Sequence, residues 1–171
     1  MRRTDREITD IKEIYRIMKK CEVCDIAFFD NDFPYIIPLN FGVTLKNGLF
    51  EIYLHGAGGG KKIDLLNKNN HVGFAARRAE NLILNDKTAC KSTMEYESVC
   101  GNGIIKILPE DEKAYGLTIL MNQYLNSKND FNFDDKILKS VTVMKIEAAH
   151  IYGKKSFPPQ NYSQSTYSNP T

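Results

Sequence analysis

The chain has 171 residues, room for one domain with a core that needs no covalent staples. Apolar residues make up 42% and charged residues 26%, which is ordinary for a soluble globular protein. With 23 basic against 21 acidic residues the formal net charge is +2, so no strong field draws nucleic acid or a membrane surface.

No apolar run approaches the roughly 20 residues that span a bilayer. The opening Met1-Arg2-Arg3-Thr4-Asp5-Arg6-Glu7 is charged and lacks the apolar centre of a signal peptide, so a cytoplasmic protein is expected. In such a chain Cys21, Cys24, Cys90 and Cys100 are expected as free thiols. Cys21 and Cys24 have C-x-x-C spacing, but Cys90 and Cys100 depart from the usual zinc spacing. Buried small side chains are the expected role of the first pair, and no metal site is expected.

Asp10 can cap a first helix, with Glu13 three residues later completing a capping box. Ile11, Ile14, Tyr15 and Met18 form one apolar stripe that ends near Lys19-Lys20. Strands are expected at 23–29 and 35–45, the second on an edge or bulge because of Pro38. Asn47-Gly48 is a two-residue hairpin turn into a third strand at 49–55. The glycine-rich 56–60 opens a short helix at 61–68, followed by a strand at 71–77 and a mixed loop at 79–92. A long strand at 95–108 has Gly101 and Gly103 as bend or bulge signals. Pro109 suits the first turn of a helix, a polar loop covers 126–135, and a last strand runs over 141–152. Residues 1–153 form the domain, while 154–171 form a polar tail that is disordered or packed on a partner subunit. Six strands joined largely by hairpins, with three peripheral helices, predict a mainly β, closed or nearly closed antiparallel barrel.

The chemistry concentrates in Tyr53-Leu54-His55-Gly56-Ala57-Gly58-Gly59-Gly60-Lys61-Lys62-Ile63-Asp64-Leu65-Leu66. A strand end, a glycine loop, two lysines and a helix start occur in that order. Helix N-termini present unpaired N–H groups, and glycines admit a ligand close to the backbone. With two ammonium groups added, this is a candidate site for a phosphate dianion. It is neither a P-loop, which would need Gly at 55 and Ser or Thr at 62, nor G-x-G-x-x-G, since Lys61 takes the third glycine position. The alternative is a mobile surface loop with two solvated lysines.

The order Pro34-Tyr35-Ile36-Ile37-Pro38-Leu39-Asn40-Phe41-Gly42, an Asn-Gly hairpin, then the 55–66 segment resembles the FMN-binding split-barrel superfamily, the clan of pyridoxamine 5′-phosphate oxidase. Arg2-Arg3-x-Asp5-Arg6-Glu7 and Tyr96-x-Ser98-Val99-x-Gly101-x-Gly103 resemble its nitroimidazole-resistance (Nim) branch. The similarity covers about residues 1–153. It implies a split barrel and a homodimer with FMN at the interface. By position, Lys61 and Lys62, beside Gly56, match the basic pair on the FMN phosphate, and Ile37, Pro38, Leu39 and Asn40 match the strand along the flavin ring. Asn40 is equally readable as a strand-end turn residue. His55 would contact phosphate or relay a proton, or else is a strand-end histidine bonded to backbone. Thr93 and Ser98 would contact the cofactor from the second subunit; His71 and His150 lack comparable context.

Pyridoxamine phosphate oxidases end in an Arg-rich segment containing Trp. This chain has no Trp and ends in a segment that includes Asn161-Tyr162-Ser163-Gln164-Ser165, which argues against that substrate. The implied activity is an FMN-dependent oxidoreductase, a flavin reductase or nitroreductase, passing electrons from NADPH or NADH to a small acceptor, a nitroimidazole among the candidates. The alternatives are a non-catalytic flavin or haem binder or sensor, and a deazaflavin-dependent reductase.

Overall fold

In the computed structural model Asp10 starts α1 (Ile11–Lys19) as expected, its carboxylate accepting from the Lys12 N–H at 2.9 Å. Glu13 does not complete a capping box. Its two oxygens take Arg16 one turn on, at 2.8 Å each, and Arg16 also reaches the buried carboxylate of Glu97. That ion pair and the buried Ile14, Ile17 and Met18 seat α1 across one end of the sheet. The structure describes residues 3–85 and 87–157.

Six long strands follow: β2 (Val23–Phe28), β3 (Tyr35–Lys46), β4 (Leu49–Ala57), β5 (His71–Ile83), β6 (Thr93–Ile107) and β7 (Val141–Ser156). All pair antiparallel in the order β7-β4-β3-β2-β5-β6, and β6 returns to β7, closing the barrel. A two-residue β1 (Glu7–Ile8) adds to the outer part of β7. Alternation fills the interior: Cys24, Ile26 and Phe28 of β2, Phe41 and Val43 of β3, and Ile52 and Leu54 of β4 are buried in one cluster. The Asn47-Gly48 turn has positive φ at both residues (51° and 81°), as a type I′ hairpin requires.

The barrel is split at β3. Residues 35–40 pair only with β2 and residues 41–46 only with β4, so the first half of β3 keeps one unpaired edge. Pro38, which has no N–H to give, sits in that half. The mouth beside it receives the end of β4 and α2 (Lys61–Lys68).

Three differences from the sequence reading have physical causes, while the bend or bulge expected in β6 is present. β5 extends to Ile83, because 77–79 and 82–83 pair with β6 across a register shift, an extension whose residues 77–81 carry no inside–outside alternation in the sequence. β7 extends to Ser156, so Lys154–Ser156 belong to the barrel strand; the rest of the expected tail, from 158, lies outside the described residues. A short α4 (Asp135–Ser140) ends the polar loop, capped by Asp134, and is too brief to show a helical period. The expected bend in β6 is a bulge between Asn102 and Gly103.

α3 (Glu110–Asn122) lies on the outer face of β3, β4 and β7, its Leu117 packed with Tyr53, Leu108 and Val143. Its approach depends on Gly42, where a β-carbon would stand 2.6 Å from the Ile119 carbonyl oxygen. Gly42→Ala should therefore lower stability by about 1–3 kcal/mol, the usual cost of overpacking against a rigid neighbour. Urea unfolding followed by circular dichroism checks it; an unchanged midpoint would mean that α3 is free to move. None of the described helices is long and apolar enough to cross a membrane.

Candidate functional site

β4 delivers Gly56 and Ala57 to the mouth, the loop 58–60 turns, and buried Ile63, Leu65 and Leu66 anchor α2. No side chain caps this helix; Gly60 accepts from Ile63 and Asp64 through its carbonyl, at 2.9 and 3.2 Å. The N–H groups of Lys61 and Lys62, ahead of these two, take no side-chain acceptor.

The two lysines have different fates, because consecutive helical residues diverge by about 100°. Lys61 is exposed and satisfied: its ammonium lies 2.6 Å from Asp30 and 4.9 Å above the Tyr35 ring, and the Asp30 hydrogen bond raises its pKa. Lys62 turns inward over Gly56. A β-carbon on Gly56 would sit 2.1 Å from its Nζ, so a side chain there would push the ammonium aside. Burial lowers the Lys62 pKa, and no carboxylate among the described residues pairs with it. A half-buried cation without a counterion is costly, and an anion bound there would offset that cost. The expected basic pair is therefore one prepared cation, Lys62, and one already neutralised, Lys61.

His55 is exposed and ends up on the other side of the strand. Gly56 points to Lys62, so alternation turns His55 to the face that carries Tyr53 and Val143, its partner on β7. A ligand touching both must pass round the end of β4, where 56–60 carry almost no side chain. His71 instead bonds the Asn69 side chain at 3.0 Å, at the far end of α2.

The expected ring-binding segment divides in the same way. Ile37 and Leu39 pack inward against the core, leaving only their backbone at the free edge, while Pro38 and Asn40 face out. The Asn40 amide nitrogen donates to the Glu22 carbonyl at 3.2 Å, beside the Tyr124 hydroxyl, which donates to the same oxygen at 2.7 Å. Asn40 lies within β3 and not at a strand-end turn, and its Oδ1 keeps no partner among the described residues. Ser98 faces out on β6 in nearly the same cross-strand row as Asn40, about 14 Å away at three strand spacings. Thr93, at the start of β6, lies at the far end of the barrel from Lys62. One chain therefore brings together Gly56, Lys61, Lys62 and the β3 edge, but not Thr93 or Ser98.

Sequence reasoning missed Asp30 and Tyr35 as the neighbours of Lys61. Asp30 follows the strand expected at 23–29, and its tertiary partner leaves no local signal. Cys21 and Cys24 are buried thiols, their pKa values pushed up by burial to about 11 and about 12, which suits core packing and not thiolate chemistry. Among the described residues no three His, Cys, Asp or Glu side chains gather as a metal site.

The chain was compared with known proteins. A family model described as pyridoxamine 5′-phosphate oxidase matches residues 10–155. No curated protein sequence matches. A candidate 5-nitroimidazole antibiotic resistance protein from Bacteroides thetaiotaomicron is 28% identical, with a TM-score of 0.74 over 87% of this chain and 86% of that one. A flavocytochrome from Azotobacter vinelandii is 17% identical, with a TM-score of 0.76 over 93% of this chain and 73% of that one. An FAD- and haem-binding protein from Mycobacterium smegmatis is 15% identical, with a TM-score of 0.76 over 88% and 73%. The last two likenesses are of fold alone. The family match over most of the chain, the split barrel and the Nim-like motifs agree, and the chain belongs to the pyridoxamine 5′-phosphate oxidase family.

Proposed function

We propose that the protein is an FMN-dependent oxidoreductase that works as a homodimer. The observation that carries this reading is Lys62, a half-buried ammonium with no carboxylate partner, at an uncapped helix start beside a free strand edge. A phosphate dianion fits that cradle in charge and in the backbone N–H groups offered. The edge of β3 at 37–40 would then take the ring, with Asn40 Oδ1 free to accept from its polar rim. The chemistry FMN supplies when bound is electron transfer from NADPH or NADH to a small acceptor, a nitroimidazole among the candidates by likeness to the Bacteroides protein.

The outer face of β2, β3 and β5 supports the dimer. Ala27, Gly73 and Ala75 make it flat, and exposed Val23 (43%) and Ile36 (58%) lie on it. A second copy on this face would dry these side chains and bring its Ser98 and Thr93 toward the first subunit's cofactor.

Sedimentation velocity of freshly purified protein, followed at the flavin's visible absorbance, tests both parts. The expected result is a yellow species of twice the 19.5 kDa chain mass that releases FMN on denaturation. A colourless protein that also fails to bind added FMN would overturn the cofactor, and a haem or deazaflavin spectrum would replace it. Flavin travelling with a monomer would overturn the dimer.

A further inference from the structure

β7 runs from Val141, beside the glycine loop, to Ser156, so its two ends serve opposite ends of the barrel. At the Ser156 end lies a hollow of about 600 Å³ between the N-terminal turn, the start of β6 and the end of β7. It is within the size range of small-molecule sites. Four cations line it, Arg3, Arg6, Lys91 and Lys155, against one carboxylate, Asp5.

The carboxylates nearby are already committed. Asp5 is held by Arg3 through two bonds of 2.7 and 2.6 Å and meets Arg6 only at 4.0 Å. Glu13 reaches Lys155 at 3.6 Å but gives both oxygens to Arg16. No carboxylate among the described residues pairs with Lys91. Arg6 spends one N–H on the Tyr96 hydroxyl at 3.4 Å, and Lys154 lies over the same ring at 5.6 Å. Burial raises the Tyr96 pKa, yet the bonds from Arg6 and Lys154 outweigh it and the net shift is downward, a local sign of positive field. Thr93 and the nearly buried Ser156 lie on the same wall.

We propose that this hollow binds the diphosphate group of a small anion, held by Arg6, Lys91 and Lys155. A diphosphate carries several negative charges and many acceptor oxygens, which matches an excess of cations on three separate segments better than a single carboxylate would. The group could arrive as free pyrophosphate or on a nucleotide. Within one chain the hollow shares no residue with the Lys62 cradle and stands whether or not that cradle holds FMN; Thr93, on its wall, is also the residue proposed to approach a partner's cofactor.

Cys90 supplies the readout, since its exposed thiol lines the hollow, while Cys100, also exposed, lies further along β6. The full-length protein would be alkylated with iodoacetamide at constant ionic strength, with pyrophosphate, ADP or adenosine added, and each thiol followed by peptide mass spectrometry. Pyrophosphate and ADP should slow Cys90 saturably and leave Cys100 unchanged, and adenosine should do nothing. Tighter protection by ADP than by pyrophosphate would identify a nucleotide as the source; equal protection would identify the free ion. Lys91→Gln and Lys155→Gln should each raise the half-protecting concentration roughly tenfold, the loss of one charge-assisted hydrogen bond. Lys62→Ala should leave it unchanged. Cys90 alkylated at one rate throughout would overturn the proposal, as would protection that survives both glutamine variants or disappears with Lys62→Ala.

Discussion

Lys62→Ala should weaken FMN binding roughly tenfold to a hundredfold, because one hydrogen bond to a charged group contributes about 1.5–3 kcal/mol. Riboflavin, which lacks the phosphate, should bind the variant and the parent alike. Lys61→Ala should cost less than Lys62→Ala, since Asp30 at 2.6 Å already offsets the Lys61 charge. The pH dependence follows from the same cation. The phosphate must be a dianion, so affinity falls below its second pKa of about 6. Lys62 must be protonated, and burial lowers its pKa, so affinity also falls on the alkaline side, at lower pH than an ordinary lysine would give. In Lys62→Ala the alkaline limb should disappear while the acid limb stays. Titration of flavin fluorescence across pH, with FMN and riboflavin in parallel, measures all of this. Equal losses for FMN and riboflavin would mean that Lys62 acts through folding and not through the phosphate.

The barrel was legible because its signals are local. Asn47-Gly48, the alternating 23–28 and 49–54 segments and the Asp10 cap each fix an element without help from distant residues. Pro38 even marked the half of β3 that pairs with β2 alone and keeps a free edge. The site was legible only as a segment. That Gly56, Lys61 and Lys62 belong together could be read from the chain, but not which lysine is free, since that depends on Asp30, which lies 31 positions upstream of Lys61 and is brought to it by the β2–β3 turn. The face of His55 was likewise hidden. It depends on strand phase at the very end of β4, and the glycines that follow carry no apolar side chains to reveal that phase. The hollow near Ser156 had no signal at all, because Arg6, Lys91 and Lys155 meet only after β6 and β7 pair.

His55 separates catalysis from storage, and its place on β4 makes the test clean. Its side chain leaves the strand on the face opposite Gly56 and the Lys62 ammonium, so removing it should leave the phosphate cradle intact. His55→Ala should accordingly retain most of its FMN. If the protein is a reductase, the yellow colour should bleach anaerobically with NADPH or NADH and return when a nitroaromatic or quinone is added. Reduction of a nitro group consumes protons as well as electrons, and a side chain that donates one in the transition state typically contributes about a hundredfold to ten-thousandfold. His55 is exposed at the end of β4, with no hydrogen-bond partner among the described residues, so no existing bond competes with one to a substrate. Stopped-flow reoxidation of His55→Ala should therefore be slower than the parent by that factor. His55→Gln should be nearly as slow, because an amide donates a hydrogen bond but cannot exchange the proton. Lys62→Ala, loaded at saturating FMN, should reoxidise at close to the parent rate, the inverse pattern. If both His55 variants reoxidise at the parent rate, the histidine contacts the cofactor or the strand end and moves no proton. If neither nicotinamide nucleotide bleaches the flavin, the protein holds FMN without turning it over, and the barrel serves as a store or sensor.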